Sequence, residues 1–457
     1  MSEAVAVFDV GKSSAKLALV DRASGAVTAI RTTPNRTVGH GPYPHFDTEA
    51  LWRWLIANLA EFGRQARIEV ISTTTHGACI ALTAGDDLAL PIIDYEFAGP
   101  DEVSDEYRKL RGDFRETFSP DLPGGLNVGR QLFWMERRFA DRFAKTDAIL
   151  PYPQYWGWRL SGVKAAEPTC LGAHSDLWAP KAGTFSRLAE ERGWAKLFPD
   201  FVRPWDTIGA IRPALARETG LPPDCRIVAG IHDSNASLLP HLLAEPLPLT
   251  VVSTGTWIIT LAPGGALDAL DPARDCLAYI DAFARPVPAA MWMGGRDFEA
   301  LTAGVAAMPG EAEVARVVKD GIMILPALGE SGPYRGRSGG WVGDPASLTP
   351  GERVAAASLH AALVEATCLK LAGSSGPILV EGPFARNEVF LAALAQVTGR
   401  TVTGRADATG TTGGAALLAS GPEGFVRREV AAAPTAPLGV DIAAYAAAWR
   451  ERVGEGG

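Results

Sequence analysis

The chain writes one local pattern twice, and that repetition limits its fold more than any other feature. Residues 4–20 and residues 249–262 each read as an apolar run, a polar turn containing glycine, and a second apolar run. In the first copy, Ala4-Val5-Ala6-Val7-Phe8-Asp9-Val10 leads through Gly11 into Lys16-Leu17-Ala18-Leu19-Val20, which predicts two strands closed into a hairpin. Leu51, Leu55, Leu59 and Phe62 then fall at helical spacing behind Asp47 or Thr48 as cap, and Ile68–Ser72 returns to strand. Hairpin, helix and strand in that order predict an α/β domain with a mixed sheet rather than a pure Rossmann unit. The second copy continues as helix (353–372), strand (378–380), helix (387–398), strand (401–403) and a Gly-rich turn into helix (410–419). Two similar domains facing across a cleft are therefore expected, with a boundary near 245. Trp- and Pro-rich insertions over residues 100–225 elaborate the first.

Length and composition agree with this reading. At 457 residues, 47% hydrophobic and 21% charged, the chain suits more than one soluble globular domain. A formal net charge of −9 argues against a general nucleic-acid binder but leaves room for one phosphorylated ligand. Five cysteines, at 79, 170, 225, 276 and 368, lie far apart without a CxxC pair, which predicts reduced, buried thiols. Met1-Ser2-Glu3 runs straight into a strand-like segment, and the longest apolar run, Leu247 to Pro263, is broken by Ser-Thr-Gly-Thr. No leader and no membrane span are expected, hence a cytoplasmic protein.

The turns carry the chemistry. Gly11-Lys12-Ser13 tempts a P-loop reading, but GxxxxGK[ST] requires glycine at position 6, where Ala6 stands in mid-strand. A phosphate-binding hairpin fits better: Asp9 holds a metal-bound water, and Gly11 to Ser14 offer backbone N–H groups, helped by Lys12 or Lys16. Gly230-Ile231-His232-Asp233 ends the apolar run from Arg226, where a strand would present Asp233 at a sheet rim as general base and as cap of the next helix. Ser253-Thr254-Gly255-Thr256-Trp257 suits a turn offering N–H groups to an anion. Thr75, His76 and Gly77 end a strand with groups that hydrogen-bond a polyol, and Asp94 is a second acceptor ligand. Trp156, Trp158, Trp178 and Trp205 are expected mostly in the core. Gly382 permits a flat base to approach, and Asn387 suits a helix cap beside it.

Together these motifs resemble the FGGY carbohydrate-kinase family of the sugar-kinase/actin/heat-shock ATPase superfamily, along nearly the whole chain. The family's Asp-x-Gly hairpin with a following basic residue matches Asp9, Gly11 and Lys16. Its Gly-x-x-Asp matches Gly230 and Asp233, its Ser-x-Gly-Thr turn Ser253, Gly255 and Thr256, and its late Gly turn Gly382. The resemblance implies two actin-like (ribonuclease H-like) α/β domains, each a mixed sheet flanked by helices, 1–245 holding the sugar and 246–457 the nucleotide. It implies ATP and Mg2+ as cofactors, with Asp233 as base and Asp9 and Asp233 beside the metal. Gly11, Lys12, Ser13, Lys16, Thr254, Gly255 and Thr256 would serve the phosphates, and Gly382, Arg386 and Asn387 the adenosine. The substrate implied is a ketose, with Thr75, His76, Gly77, Asp94 and Asp233 around it. His76-Gly77 is similar to the xylulose-kinase pattern. Trp257 and His232-Asp233 are closer to the rhamnulose/fuculose branch. Pro383 departs from the consecutive glycines usual in the adenosine turn. A homodimer is compatible with all of this. The competing readings are a nucleotide-switched binding protein of the actin or heat-shock kind and a sugar sensor without catalysis.

Overall fold

Every residue of the first strand after Glu3 is buried, on both faces, so helices must cover it from both sides. The computed structural model describes residues 2–305, 307–326, 331–337, 339–405, 410–425 and 435–455, and there the strand's alternation sorts two cores. Ala4, Ala6, Phe8 and Val10 pack with Leu51, Leu55, Leu59 and Phe62 of α1 (Thr48–Gly63). Val5 and Val7 pack on the opposite face with Ala236, Leu239, Ala415 and Leu418. Asp9 shares the parity of Val5 and Val7, so the pleat turns its carboxylate toward that second face.

The first unit comprises Met1–Ala244, Ala278–Pro286 and Thr409–Arg427. Its sheet holds seven strands: β1 (Glu3–Val10), β2 (Ser14–Asp21), β3 (Val27–Pro34), β4 (Arg67–Thr75), β5 (Thr207–Ala210), β6 (Arg226–Val228) and β7 (Ile231–His232). β1 pairs antiparallel with β2 and parallel with β4, while β6 and β7 both run parallel to β4. In this register Asp9 stands opposite Lys16, and Thr75 lies between Val10 and His232. β7 gives way at once to α2 (Asp233–Ala244), which α3 (Gly410–Leu417) packs against. Gly414 makes that contact possible, because a Cβ there would overlap the Ala236 carbonyl. The insertions gather a separate apolar cluster around Tyr107, Leu132, Trp178 and Trp194, and Trp156 and Trp158 join the core under α1. Trp205 is half-buried against Phe283.

The second unit comprises Glu245–Leu277, Val287–Ala408 and Arg428–Gly457. It repeats the plan: β8 (Thr250–Thr254) pairs antiparallel with β9 (Ile258–Leu261), which pairs antiparallel with β10 (Pro286–Trp292). β8 also runs parallel to β11 (Ile378–Glu381), and β11 to β12 (Val402–Arg405). A single boundary near 245 therefore misses two later stretches that complete the first unit. Among the described residues one helix, Pro350–Leu371, is long and apolar enough to cross a membrane, and 89% of its apolar window is buried inside the protein. All five cysteines are free and buried.

Candidate active site

The C-terminal ends of parallel strands are where an α/β sheet offers its backbone to ligands, and both units place their predicted motifs there. In the first unit the β1–β2 turn closes when Gly11 N–H donates to Ser14 O at 2.9 Å. Asn35, almost fully buried, pins the same turn from behind: its side-chain amide donates to Gly11 O at 2.8 Å, and its N–H donates to Ser13 O at 3.0 Å. In a trans peptide N–H and C=O point oppositely, so the amides of Lys12 and Ser14 turn away from Asn35. Sequence reasoning did not single out Asn35, although its place after Pro34 marks a turn.

Asp9 is buried, and Lys16 Nζ meets its Oδ2 at 2.9 Å, as their opposed register requires. Burial pushes the Asp9 carboxyl above its ordinary range, Lys16 works against that rise, and the negative charge of Asp233 adds to it. Asp233 opens α2, its Oδ1 accepting from Ser234 N at 2.6 Å. Its side chain is recessed but 31% exposed. Burial raises its carboxyl too, opposed by nearby His76, the Ser234 hydrogen bonds and Lys16. A carboxylate so placed is a stronger base than a solvated one and remains reachable.

Two neutral histidines flank it. Burial lowers His76 and His232 to about 4, so both are uncharged at pH 7. His76 Nδ1 lies 2.8 Å from the Gly77 carbonyl, which can only accept, so Nδ1 carries the proton. That leaves Nε2 as a buried acceptor with no hydrogen-bond partner among the described residues. His232 Nε2 stands 3.3 Å from Asp233 Oδ1, and the ring stacks on Tyr279 at 5.9 Å. Gly77 has no room for a side chain, since a Cβ would come within 2.7 Å of His232 Nε2. Thr75, expected at the acceptor, is fully buried and donates its hydroxyl to His76 O at 3.0 Å, so it shapes the turn instead. Lys12, expected at the phosphates, ion-pairs with Asp94, lies 3.3 Å from Glu96 Oε2 and sits over the rings of Phe46 and Tyr95. Ser13 is exposed in the turn. Behind the base, buried Glu167 accepts from the Thr169 hydroxyl, and Thr169 Oγ1 accepts the His232 N–H at 3.1 Å. Neither Tyr279 nor this Glu167–Thr169 link carried a recognisable local pattern.

In the second unit the β8–β9 turn closes the same way, Gly255 N–H donating to Trp257 O at 2.9 Å, with Gly255, Thr256 and Trp257 exposed. Gly255 thus spends its own amide within the turn. Thr254 is buried, its hydroxyl donating to Glu381 O and accepting Phe384 N–H at 3.1 Å, so it clamps the next turn rather than facing a phosphate. Gly382, at φ +77°, lies so close to Thr254 O that any Cβ would overlap it. Asn387 caps the helix Glu388–Thr398 through Phe390 N at 3.0 Å and donates to Ser358 Oγ at 2.9 Å. A recess of about 250 Å³ opens beside this turn, lined by Phe298, Val354, Pro383, Phe384, Arg386 and Asn387 among others. Pro383 contributes one apolar wall.

The comparisons agree with this architecture. The model for the C-terminal domain of FGGY carbohydrate kinases matches residues 246–427. The crystal structure of a carbohydrate kinase from Novosphingobium aromaticivorans is 39% identical, with a TM-score of 0.92 and 99% of each chain covered. That of a xylulose kinase from Rhodospirillum rubrum, at 20% identity, has a TM-score of 0.78, covering 99% of this chain and 97% of that one. A curated relative from Bacillus subtilis (strain 168), YoaC, is 24% identical over 244 residues, so the match spans about half its length, 48%. The chain belongs to the FGGY carbohydrate kinase family and has its two actin-like α/β domains.

Proposed function

We propose that the protein is an ATP-dependent sugar kinase acting on the terminal hydroxyl of a ketose, of the L-fuculose or L-rhamnulose type or a pentulose. The observation that carries this reading is Asp233: a recessed yet reachable carboxylate at a helix N-terminus, beside the Asp9–Lys16 pair and the open acceptor nitrogen of His76. His76 Nε2 and Asp94 orient the acceptor, and Asp233 takes the hydroxyl proton as that oxygen bonds to the γ-phosphorus. The bond from γ-phosphorus to the bridging oxygen breaks, and ADP leaves with the electron pair. The first unit supplies base and acceptor contacts. The second supplies the amides of Thr256 and Trp257 for phosphates and the recess by Gly382 and Arg386 for the adenosine.

Two hard oxygen donors, the carboxylates of Asp9 and Asp233, fit magnesium. Asp9 offers one carboxylate already shared with Lys16, and among the described residues no group of three or more His, Cys, Asp or Glu stands ready to ligate an ion. Asp9, with Asp233, would hold such an ion, which when bound neutralises charge on the transferred phosphoryl group. A coupled ADP-release assay over L-fuculose, L-rhamnulose, D-xylulose, L-ribulose, D-ribulose and glycerol tests the proposal. ADP release dependent on one of these sugars is expected. Nucleotide binding with no acceptor-dependent release would favour the switch or sensor reading.

A further inference from the structure

The contact between Lys12 and Asp94 joins residues 82 positions apart, and it brings a cation to the side of the site where the acceptor binds. The ammonium is held on three sides: by Asp94, by Glu96 Oε2 at 3.3 Å, and by the faces of Tyr95 and Phe46 at 4.8 and 5.1 Å from their ring centroids. The Phe46 and Tyr95 rings in turn flank His76, at centroid distances of 5.2 and 5.3 Å. The Lys12 ammonium therefore belongs to the cluster around His76. It is 25% exposed and Asp94 13%, so the pair is largely desolvated but touches solvent.

Asp94 has capacity to spare. Its Oδ1 takes both the Lys12 ammonium and the Glu96 N–H at 3.1 Å, and among the described residues Oδ2 accepts nothing. The cluster thus offers a donor on Lys12 and free acceptors on Asp94 Oδ2 and His76 Nε2. Neighbouring hydroxyls, each both donor and acceptor, satisfy such a set. A carboxylate does not. It has no proton for Oδ2 or Nε2, and it enters where Asp94, Glu96 and Asp233 already outnumber Lys12, Lys16 being taken by Asp9. Like charges in a partly desolvated site repel strongly.

The geometry points to the Lys12–Asp94 pair as the specificity determinant of the acceptor site: it selects a neutral polyhydroxylated substrate and excludes sugar acids, because Asp94 occupies the cation a substrate carboxylate would need. This rests on the kinase reading and deepens it.

The test compares the preferred neutral ketose with D-gluconate, measured both as a substrate and as a competitive inhibitor of ketose phosphorylation. The wild type should favour the ketose in kcat/KM by about a hundredfold or more. Asp94→Asn keeps the side-chain shape but frees Lys12. It should raise the ketose KM and lower the D-gluconate inhibition constant about tenfold, and Lys12→Met added to Asp94→Asn should reverse that gain. An unchanged D-gluconate constant in an Asp94→Asn protein with the wild-type melting temperature would overturn the inference, as would a wild type that prefers D-gluconate. Absence of turnover on every acceptor, by contrast, would remove the kinase reading and the pair's role with it.

Discussion

The two strand–turn–strand segments share a backbone plan and part company in chemistry. Each turn is closed by its glycine N–H, Gly11 to Ser14 O and Gly255 to Trp257 O. The first is ringed by Asp9, Lys12, Lys16 and Asp233, with carboxyls lifted by burial and histidines kept neutral. The second, Ser253 to Trp257, has no ionisable side chain, and it is held by backbone contacts such as Arg296 N–H to Thr256 O at 3.4 Å. On the proposed reading one scaffold serves two purposes: titrating groups stand in a partly dry environment where a proton would move, and neutral amides would hold an anion.

The largest effect should come from removing the titrating group. Asp233→Asn is expected to lower kcat by about 10² to 10⁴ while leaving ATP affinity nearly intact; full turnover would take the base role from Asp233. On the neutral side, a Cβ at Gly255 meets only Trp257 O at 3.8 Å, so the effect of Gly255→Val should fall on the ligand, provided its melting temperature matches the wild type. We expect ATP affinity by calorimetry to weaken about tenfold, roughly 1.4 kcal/mol, and equal affinity would contradict the role given to that turn.

The two turns should also fail differently. Asn35→Ala deletes a hydrogen bond to the half-buried Gly11 carbonyl and should cost about 1–2 kcal/mol in thermal unfolding. Gly295→Ala would drive a Cβ into Gly255 O and should cost a comparable 1–3 kcal/mol through overpacking. A silent substitution at either position would mean that its turn is held by something else.

The smallest effect is a displacement in pH. A base must be ionised, so activity falls as pH drops through the raised carboxyl of Asp233. Lys16 holds that carboxyl and Asp9 down, so Lys16→Met should move the acid limb of kcat/KM to higher pH. Movement to lower pH would reverse the assigned electrostatics.

Much of the scaffold was legible because it is local. The apolar run 4–10 read as the first strand of a hairpin, helical spacing in 51–62 gave α1, and Asn387 read correctly as a cap. Side-chain partners set by the tertiary fold were not. Proximity to Gly11 suggested phosphates for Lys12, whereas the fold carries its ammonium to Asp94. The Gly-rich run at 410–419 read as a turn into a helix, but nothing in it showed that Gly414 is there to let that helix close on Ala236. Tyr279 lies in a strand–turn segment whose unit only the three-dimensional contacts reveal.

That discontinuity has a consequence for how the protein is made. Val5, Val7, Ala236 and Leu239 find part of their cover only in Ala415 and Leu418. A nascent chain leaving the ribosome therefore carries an unfinished apolar sheet face through most of its synthesis, so the domain begun first is among the last to be sealed.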